Sequence, residues 1–273
     1  MTNEAILYRT HIFNPIVRRE IERLRAEAVD CSHWVVGYLK DDAAVPDTPE
    51  SNSRLYRRAD LTALPYPKKI AAVDWSNTEG HNDLPVLAFY RENPDYDHYW
   101  IIEYDVRYTG HWGELFRELR TSQAAFLGTT LQDHDENPRW WWWPGLVNTP
   151  NSSLQRVRCF TPFCRLSNAA LAAVDKWYRE GGSGHYELVW PGVCKTNGWP
   201  IEDIGGWGRY TPERWRGKHY VNTPLKAEPV ARHLRVQARV QGRLGQRERS
   251  EARARPNAVA SGQRLSRPIG SPG

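Results

Sequence analysis

Residues 99–110 constrain the fold most, because an apolar run ends there abruptly in two acids and a glycine. The bulky residues 99–102 favour a strand covered on both faces, as in the middle of an α/β sheet. Side chains alternate along a strand, so Glu103 and Asp105 point to the same side. Ligands bind at the carboxyl ends of such strands, which makes the two acids candidates for holding a cation or a hydroxyl group. Alternatively, the acids cap the next helix or pair with Arg107.

The composition indicates a protein with a large core and no membrane span. The 273 residues include 13 Trp and 13 Tyr, enough for one large domain or two small ones. No apolar run approaches the ~20 residues that cross a bilayer, and the N-terminus lacks the features of a signal peptide. We therefore expect a cytoplasmic protein whose four cysteines are thiols. Cys159 and Cys164 have the spacing of some metal sites, but no second pair completes such a set.

The charge is unevenly distributed along the chain. Residues 226–273 hold 11 basic and 3 acidic side chains, which leaves 26 basic and 29 acidic side chains in 1–225. No aromatic residue follows Tyr220, so the end of the chain cannot bury enough surface to offset its ordering entropy. We predict a folded domain over 1–225 and a disordered arginine-rich tail over 226–273. Out-of-frame reading of GC-rich coding sequence would give the same composition. A nucleic-acid partner is not expected, because such binding would rest on the tail alone.

A strand, a helix and a second strand follow one another near the start of the chain. Residues 5–9 form a short apolar run, and Asn14-Pro15 is typical of a helix start. The helix is predicted to run to about Ala28, because its apolar residues step by four, three and four positions along one face. Residues 34–39 then form a strand. This βαβ unit, with its right-handed crossover, makes the first half Rossmann-like.

Further elements are predicted from the same patterns. Pro, Ser and Asn are frequent between Asp41 and Ser53, which predicts a long irregular loop. Four tryptophans, residues 140–143, stand between proline-containing turns and predict a loop. Indole faces stack on sugar rings or bases, which makes Trp142 a candidate binding residue, but at least two of the four are expected to pack in the core. Other predicted elements are helices near 83–90, 112–119 and 169–178 and strands near 124–128 and 156–160.

A second polar constellation covers residues 183–191 and 201–208. Glu187 follows a glycine-containing turn and leads a short apolar helix, a position from which a carboxylate can face a ligand and act as a general base. The alternative is structural: a glutamate in the first turn interacts favourably with the helix N-terminus.

Several motifs, taken together and in this order, carry a resemblance to a known family: His81-Asn82-Asp83, Tyr90-Arg91-Glu92-Asn93-Pro94, Tyr99-Trp100, Glu103-Tyr104-Asp105-Val106-Arg107-Tyr108-Thr109-Gly110-His111-Trp112, Gly184-His185-Tyr186-Glu187 and Glu202-Asp203-Ile204-Gly205-Gly206. Over residues 5–225 the chain resembles uncharacterised glycosyltransferase-like proteins with a GT-A fold, and it is distantly similar to core-2/I-branching-type enzymes. The resemblance implies an α/β fold in which a Rossmann-like, nucleotide-sugar-binding mixed sheet is flanked by helices.

The resemblance also implies where the donor binds. In GT-A enzymes a nucleotide-sugar lies across the carboxyl ends of the sheet, and an acidic motif after a central strand often holds a divalent metal. Glu103 and Asp105 match that motif as Glu-x-Asp rather than Asp-x-Asp, with Mn²⁺ or Mg²⁺ as the cation. Branching-type relatives dispense with metal and use basic side chains, for which Arg107, Lys195 and Arg209 are the candidates.

The implied reaction is sugar transfer to a glycan or another hydroxyl acceptor. In inverting members a carboxylate at the start of a late helix removes the acceptor proton, which assigns this role to Glu187. His185 and Asp203 would orient the base or the acceptor. Two other classes stay open: a non-catalytic glycan- or nucleotide-binding relative that does not need Glu187, and a nucleic-acid-binding protein that acts through the tail.

Overall fold

The computed structural model describes residues 3–46, 52–76, 78 and 80–220, together with the backbone of 234–236. The strands are β1 (Glu4–Arg9), β2 (Ser32–Tyr38), β3 (Ser53–Tyr56), β4 (His98–Glu103), β5 (Val106–Tyr108), β6 (Phe126–Asp133), β7 (Val157–Ser167), β8 (Ile201–Asp203) and β9 (Leu234–Val236). The α-helices are α1 (Pro15–Glu27), α2 (Arg58–Thr62), α3 (Pro67–Ala71), α4 (Leu84–Glu92), α5 (Trp112–Leu119), α6 (Asn168–Arg179) and α7 (Tyr186–Thr196).

In the described part of the chain, seven strands form one mixed sheet in the order β3-β2-β1-β4-β7-β6-β8. Neighbouring strands are parallel except where β7 pairs antiparallel with β4 and with β6. Six strands therefore point the same way, and their carboxyl ends lie at one edge, where β7 begins. The expected α/β fold, a mixed sheet flanked by helices, is confirmed.

Strand β4 lies in the middle of the sheet, and the residues expected to be buried there are buried. Residues 99–102 are fully enclosed. Tyr99 and Ile101 face a core that contains residues of α4, α6 and α7, whereas Trp100 and Ile102 face a second core that contains residues of α1 and α5. Helices thus cover both faces of the sheet, which is why this strand reads as a continuous apolar run.

The first helix shows how closely local sequence sets an element. The Asn14 side chain accepts hydrogen bonds from the backbone N–H groups of Ile16 and Val17, both at 3.0 Å, and Pro15 occupies the first helical position. These contacts satisfy N–H groups that have no partner inside the helix. The apolar stripe of α1 then packs on the sheet, and β1 and β2 pair in parallel on either side of this crossover.

Strand β7 is longer than the sequence predicted. It continues from the predicted 156–160 segment to Ser167, through a stretch that contains Arg165. This guanidinium is buried and donates to the backbone carbonyls of Ser122 and Ala124, both at 3.0 Å, while it lies 5.4 Å from the Trp100 ring centroid. The charged guanidinium is tolerated inside a buried strand because backbone carbonyl groups accept its hydrogen bonds.

Two expectations concern the termini and the membrane. Among the described residues, no helix combines the length and apolarity needed to cross a bilayer. The predicted disordered tail, 226–273, falls outside the described residues apart from Leu234–Val236, whose backbone pairs antiparallel with β5.

All four cysteines are free thiols, as expected.

Candidate functional site

The carboxyl edge of the sheet brings the two predicted polar constellations together. Glu103 ends β4, and its Oε1 accepts a hydrogen bond from the Tyr186 hydroxyl at 3.3 Å. Arg9, the last residue of β1, places Nη1 3.2 Å from the same oxygen and its guanidinium 5.7 Å from the Tyr186 ring centroid. Tyr186 is the first residue of α7, so a single side chain links the acids after β4 to the helix that carries Glu187.

Asp105 lies in the turn between β4 and β5 and is 6% exposed. Burial, followed by the nearby charge of Glu103, raises its pKa to about 6. Its Oδ1 is buried and has no hydrogen-bond partner among the described residues. Carboxylate oxygens are the hard ligands that Mg²⁺ or Mn²⁺ prefers, so Asp105 Oδ1 could serve the predicted cation, whereas Glu103 Oε1 is already paired with Arg9.

Arg107 follows the same turn but points its guanidinium at the backbone. Its Nη1 donates to the carbonyls of Tyr104 at 2.7 Å and Val106 at 2.8 Å, and its Nε lies 3.9 Å from a Glu20 oxygen. These contacts hold the turn on which Asp105 lies. The structure thus gives Arg107 a local stabilising role beside the acids.

Glu187 is buried in the first turn of α7. The backbone N–H of Thr161, on β7, donates to its Oε1 at 3.1 Å. Burial raises the pKa of Glu187 to about 7, against the opposing influence of the Arg158 charge and this hydrogen bond. A carboxylate that exchanges its proton near neutral pH has the acidity that general-base catalysis favours.

His185 caps the helix that carries Glu187. Its Nδ1 accepts the Glu187 backbone N–H at 3.2 Å. Its ring contacts the rings of Tyr186 and Trp142, with centroid distances of 4.9 Å and 4.6 Å. Burial and the charge of Lys69 lower its pKa well below the ordinary value, which keeps the ring neutral and able to accept this bond. His185 therefore fixes the turn before the candidate base.

A buried ion pair beneath this turn was not predicted. Lys69 and Asp83 are both 0% exposed and lie 3.0 Å apart. Lys69 Nζ also donates to the carbonyls of Gly184, at 2.8 Å, and Gly80, at 3.2 Å, and the Tyr178 hydroxyl donates to Asp83 Oδ2 at 2.6 Å. The ammonium thus ties the segment before His185 to the segment before α4. Asp83 belongs to one of the motifs quoted above, but nothing in the sequence marks Lys69.

Asp203 ends β8, and its carboxylate is held by hydrogen bonds within the fold. Its carboxylate accepts from the backbone N–H groups of Leu131 and Gly205, both at 3.0 Å, and from the Tyr220 hydroxyl at 2.7 Å. Burial raises its pKa to about 6, while these hydrogen bonds act in the opposite direction. No hydrogen bond or ion pair joins it to Glu187 among the described residues. Asp203 therefore connects β6, through Leu131, to the loop that follows β8, through Gly205.

Lys195 and Arg209 converge on Asp133, the last residue of β6. Lys195 Nζ lies 2.5 Å from Asp133 Oδ1, and Arg209 Nη1 lies 2.5 Å from Oδ2. Asp133, Asp135 and Glu136 could jointly hold a metal ion, but Arg209 already lies within 3.5 Å of all three. The two candidate phosphate-binding cations are therefore paired with acids of their own. The Asp133-x-Asp135 pattern was visible in the sequence but was not singled out.

The four tryptophans divide between core and surface. Trp143 is buried and donates from its indole to the carbonyl of Asn137 at 2.8 Å, and Trp140 packs on it with centroids 5.0 Å apart. These two pack, as predicted. Trp142 is half-buried against the His185 ring, and Trp141 is 42% exposed. The predicted binding residue Trp142 thus lies next to the cap of α7.

A cavity of about 310 Å³ opens further along the same edge, after β2. The rings of Tyr38 and Trp75 lie 5.9 Å apart on its wall, and the Arg58 guanidinium lies 5.4 Å from the Trp75 ring centroid. From the sequence, this region was predicted only as the start of a long irregular loop. The residues that line the cavity are Tyr38, Lys40, Asp41, Asp42, Arg58, Trp75 and Ser76.

Comparisons with known proteins give one partial match in sequence and several distant ones in structure. A family model described as a protein of unknown function (DUF3405) matches residues 41–126, which include Glu103 and Asp105 but not Glu187. No curated protein matches the sequence.

Three solved structures similar to the chain are of sugar-related enzymes. A protein assigned as a glucose-1-phosphate thymidylyltransferase from Bacillus anthracis, in complex with sucrose, has a TM-score of 0.43 at 10% identity, over 76% of this chain and 88% of its own. The galactosyltransferase LgtC, in complex with donor and acceptor sugar analogs, has a TM-score of 0.41 at 9% identity, over 86% and 87%. Mouse xyloside xylosyltransferase 1 has a TM-score of 0.37 at 11% identity, over 72% and 82%. Glycosyltransferases are thus among the structures the chain is similar to.

Proposed function

We propose that this protein transfers a sugar from a nucleotide-sugar donor to an acceptor hydroxyl, with inversion at the sugar carbon and Glu187 as the general base. The hydrogen bond between Tyr186 and Glu103 carries this proposal, because it joins two separately placed carboxylate sites at one edge of the sheet. A donor held by Glu103 and Asp105 would lie close to the helix start that presents Glu187.

In the proposed reaction, the proton of the acceptor hydroxyl moves to the carboxylate of Glu187. Glu187 removes the proton from the acceptor hydroxyl as that oxygen attacks the anomeric carbon, and the bond to the nucleoside diphosphate breaks with its electron pair on the departing oxygen. The pKa of Glu187, raised by burial to about 7, makes it a stronger base than an exposed glutamate. The Thr161 N–H and the neutral His185 cap hold the side chain and its helix turn in place.

The donor would bind through its charged diphosphate and through its nucleoside. Glu103 and Asp105 would hold a divalent cation, and that cation would neutralise charge on the diphosphate. The cavity after β2 suits the nucleoside, because the Tyr38 and Trp75 rings offer flat apolar faces and Asp41 offers a carboxylate to sugar hydroxyls.

Thermal stabilisation by a panel of nucleotide-sugars tests donor binding. Each donor is added with and without manganese, and the melting temperature of the full chain is followed. A ligand that binds only the folded state stabilises by about 2.7 kcal/mol at a hundredfold excess over its Kd, so at least one donor should raise the melting temperature by several degrees. If no donor of the panel shifts it, with or without the metal, the proposed function is wrong.

Asp105→Asn is expected to weaken nucleotide-sugar binding at least tenfold and to abolish any gain from manganese, because the amide keeps the shape of the carboxylate but loses its charge. Calorimetric titration of the donor checks this, with the far-UV spectrum as the test of folding. Asp95→Asn is the matched control, since this exposed acid precedes β4 at the opposite end of the strand. Equal donor affinity in the two variants would remove Asp105 from the site.

The reaction rate should depend on the ionisation of Glu187. Only the ionised form accepts a proton, so kcat should be constant above a pH of about 7 and should fall about tenfold per pH unit below it. A profile of kcat against pH checks this in the wild-type protein. A rate that stays constant down to pH 5 would contradict the assignment.

A further inference from the structure

We propose that Arg158, stacked on Trp140 beside Glu187, forms a binding site for an anionic group of the acceptor, so that the acceptor is an acidic sugar or a similarly charged molecule. This inference rests on the proposed function and specifies its second substrate. The group to be bound is a carboxylate, sulfate or phosphate near the hydroxyl that is glycosylated.

Arg158 is half-buried near the start of β7, where its guanidinium contacts an aromatic ring. Its guanidinium carbon lies 5.0 Å from the Trp140 ring centroid. Its Nε is buried without a hydrogen-bond partner, and in the described part of the chain no carboxylate lies within 4.0 Å of the guanidinium. A partly desolvated cation without a counter-charge is costly, and the cost is recovered when an anion binds.

Other cations around this edge are already matched with acids. The pairs are Arg9 with Glu103 at 3.2 Å, Lys69 with Asp83 at 3.0 Å, and Lys195 with Asp133 at 2.5 Å. All four cations lie near an aromatic ring. Arg158 differs from the other three in that no acid of the described residues pairs with it, which leaves its N–H groups for another molecule. A planar guanidinium donates two parallel hydrogen bonds to a carboxylate or phosphate, a geometry that lysine cannot provide.

Arg158 is also close to the reacting groups. The thiol of the next residue, Cys159, donates to the Glu187 backbone carbonyl at 3.2 Å, and the Trp140 ring next to the guanidinium lies 5.8 Å from the His185 ring. The positive charge of Arg158 accordingly lowers the pKa of both Glu187 and His185. Trp142 also contacts the His185 ring, with centroids 4.6 Å apart. An acceptor ring that stacks on these aromatic faces can place an acidic group on Arg158 and a hydroxyl towards Glu187.

The position beside the base assigns the anion to the acceptor rather than to the donor. In a displacement with inversion, the attacking oxygen and the leaving diphosphate lie on opposite sides of the anomeric carbon. Glu187 must contact the attacking oxygen, so a group beside Glu187 meets the acceptor. The diphosphate is assigned to the acids after β4.

A matched pair of probes tests the inference. Methyl β-glucuronide and methyl β-glucoside differ in one carboxylate, and NMR titration gives the dissociation constant of each for the full chain. The acidic probe should bind at least tenfold more tightly than the neutral one. Arg158→Gln should abolish that preference, whereas Arg158→Lys should keep part of it because the charge remains. Arg156→Gln, at an exposed arginine two residues away, should behave as wild type.

Several outcomes would overturn the inference. One is equal binding of the two probes by the wild type, and another is an unchanged preference in Arg158→Gln. If Arg158→Gln instead weakens the binding of nucleoside diphosphates more than twofold, the guanidinium serves the donor and the acceptor assignment is wrong. If Arg158→Gln does not fold, the comparison of Arg158→Lys with wild type decides in the same way. Failure of the proposed function is distinct, since it shows as a lack of binding of any nucleotide-sugar.

Discussion

Glu187→Gln is expected to lower turnover by about two to four orders of magnitude while nucleotide-sugar affinity stays within about twofold of wild type. Glutamine keeps the size of the side chain and its hydrogen bond from the Thr161 N–H, but it cannot take the acceptor proton, and general-base catalysis contributes about 10²–10⁴-fold. Steady-state kinetics with the donor that gives the largest thermal shift measures the effect. A variant that keeps a third of wild-type activity would make Glu187 only a first-turn residue.

Stability provides the control for this variant. Because folding raises the pKa of Glu187 from its ordinary value near 4.5 to about 7, the folded state binds the proton more tightly than the unfolded state. The stabilising contribution of that proton is complete below pH 4.5 and is lost as the pH rises through 7. Glutamine resembles the protonated form, so at pH 8 the variant should melt at the same temperature as wild type or higher. A loss of activity with a lower melting temperature would point to misfolding instead.

Lys69→Met is expected to cost about 3–5 kcal/mol of unfolding free energy, the range for breaking a buried ion pair by removing one partner. The variant leaves Asp83 buried without its counter-charge and the carbonyls of Gly80 and Gly184 without their donor. Denaturant unfolding followed by circular dichroism measures the change. The double variant Lys69→Met/Asp83→Leu should recover part of the loss, because no charge then remains buried.

Lys68→Met is the matched control, since Lys68 is the exposed neighbour on the same helix and should change stability by less than about 0.5 kcal/mol. If Lys69→Met and Lys68→Met unfold at the same denaturant concentration, the buried ion pair does not hold the turn before His185.

Elements with strong local signals could be predicted from the sequence. Strand β4 was predicted because residues 99–102 are uniformly apolar, and α1 because the Asn14 cap and the helical spacing agree. The helix that begins after Ser167 was predicted for the same reason, and the Ser167 side chain accepts from the Ala170 N–H. In each case, the signal that predicts the element lies in residues close together in sequence.

The contacts that define the candidate site join distant parts of the chain, and periodicity carries no information about them. The Tyr186–Glu103 hydrogen bond spans 83 positions and the Lys69–Gly184 bond spans 115. The pairing of Lys195 with Asp133 could not be predicted for the same reason. Lys195 was expected to bind the donor diphosphate, but its ammonium group lies against the Asp133 carboxylate instead. Residue types at the edge could thus be predicted, but not their partners.

Product analysis tests the central claim most directly. Wild-type protein is incubated with the donor that stabilises it and a panel of neutral and acidic glycan acceptors, and the mixture is analysed by mass spectrometry. The proposed function predicts an acceptor that gains the mass of one sugar residue, with release of an equal amount of nucleoside diphosphate, and neither product with Glu187→Gln over the same time. A donor that binds tightly but is recovered intact with every acceptor would contradict a transferase and would identify the chain as a nucleotide-sugar-binding protein.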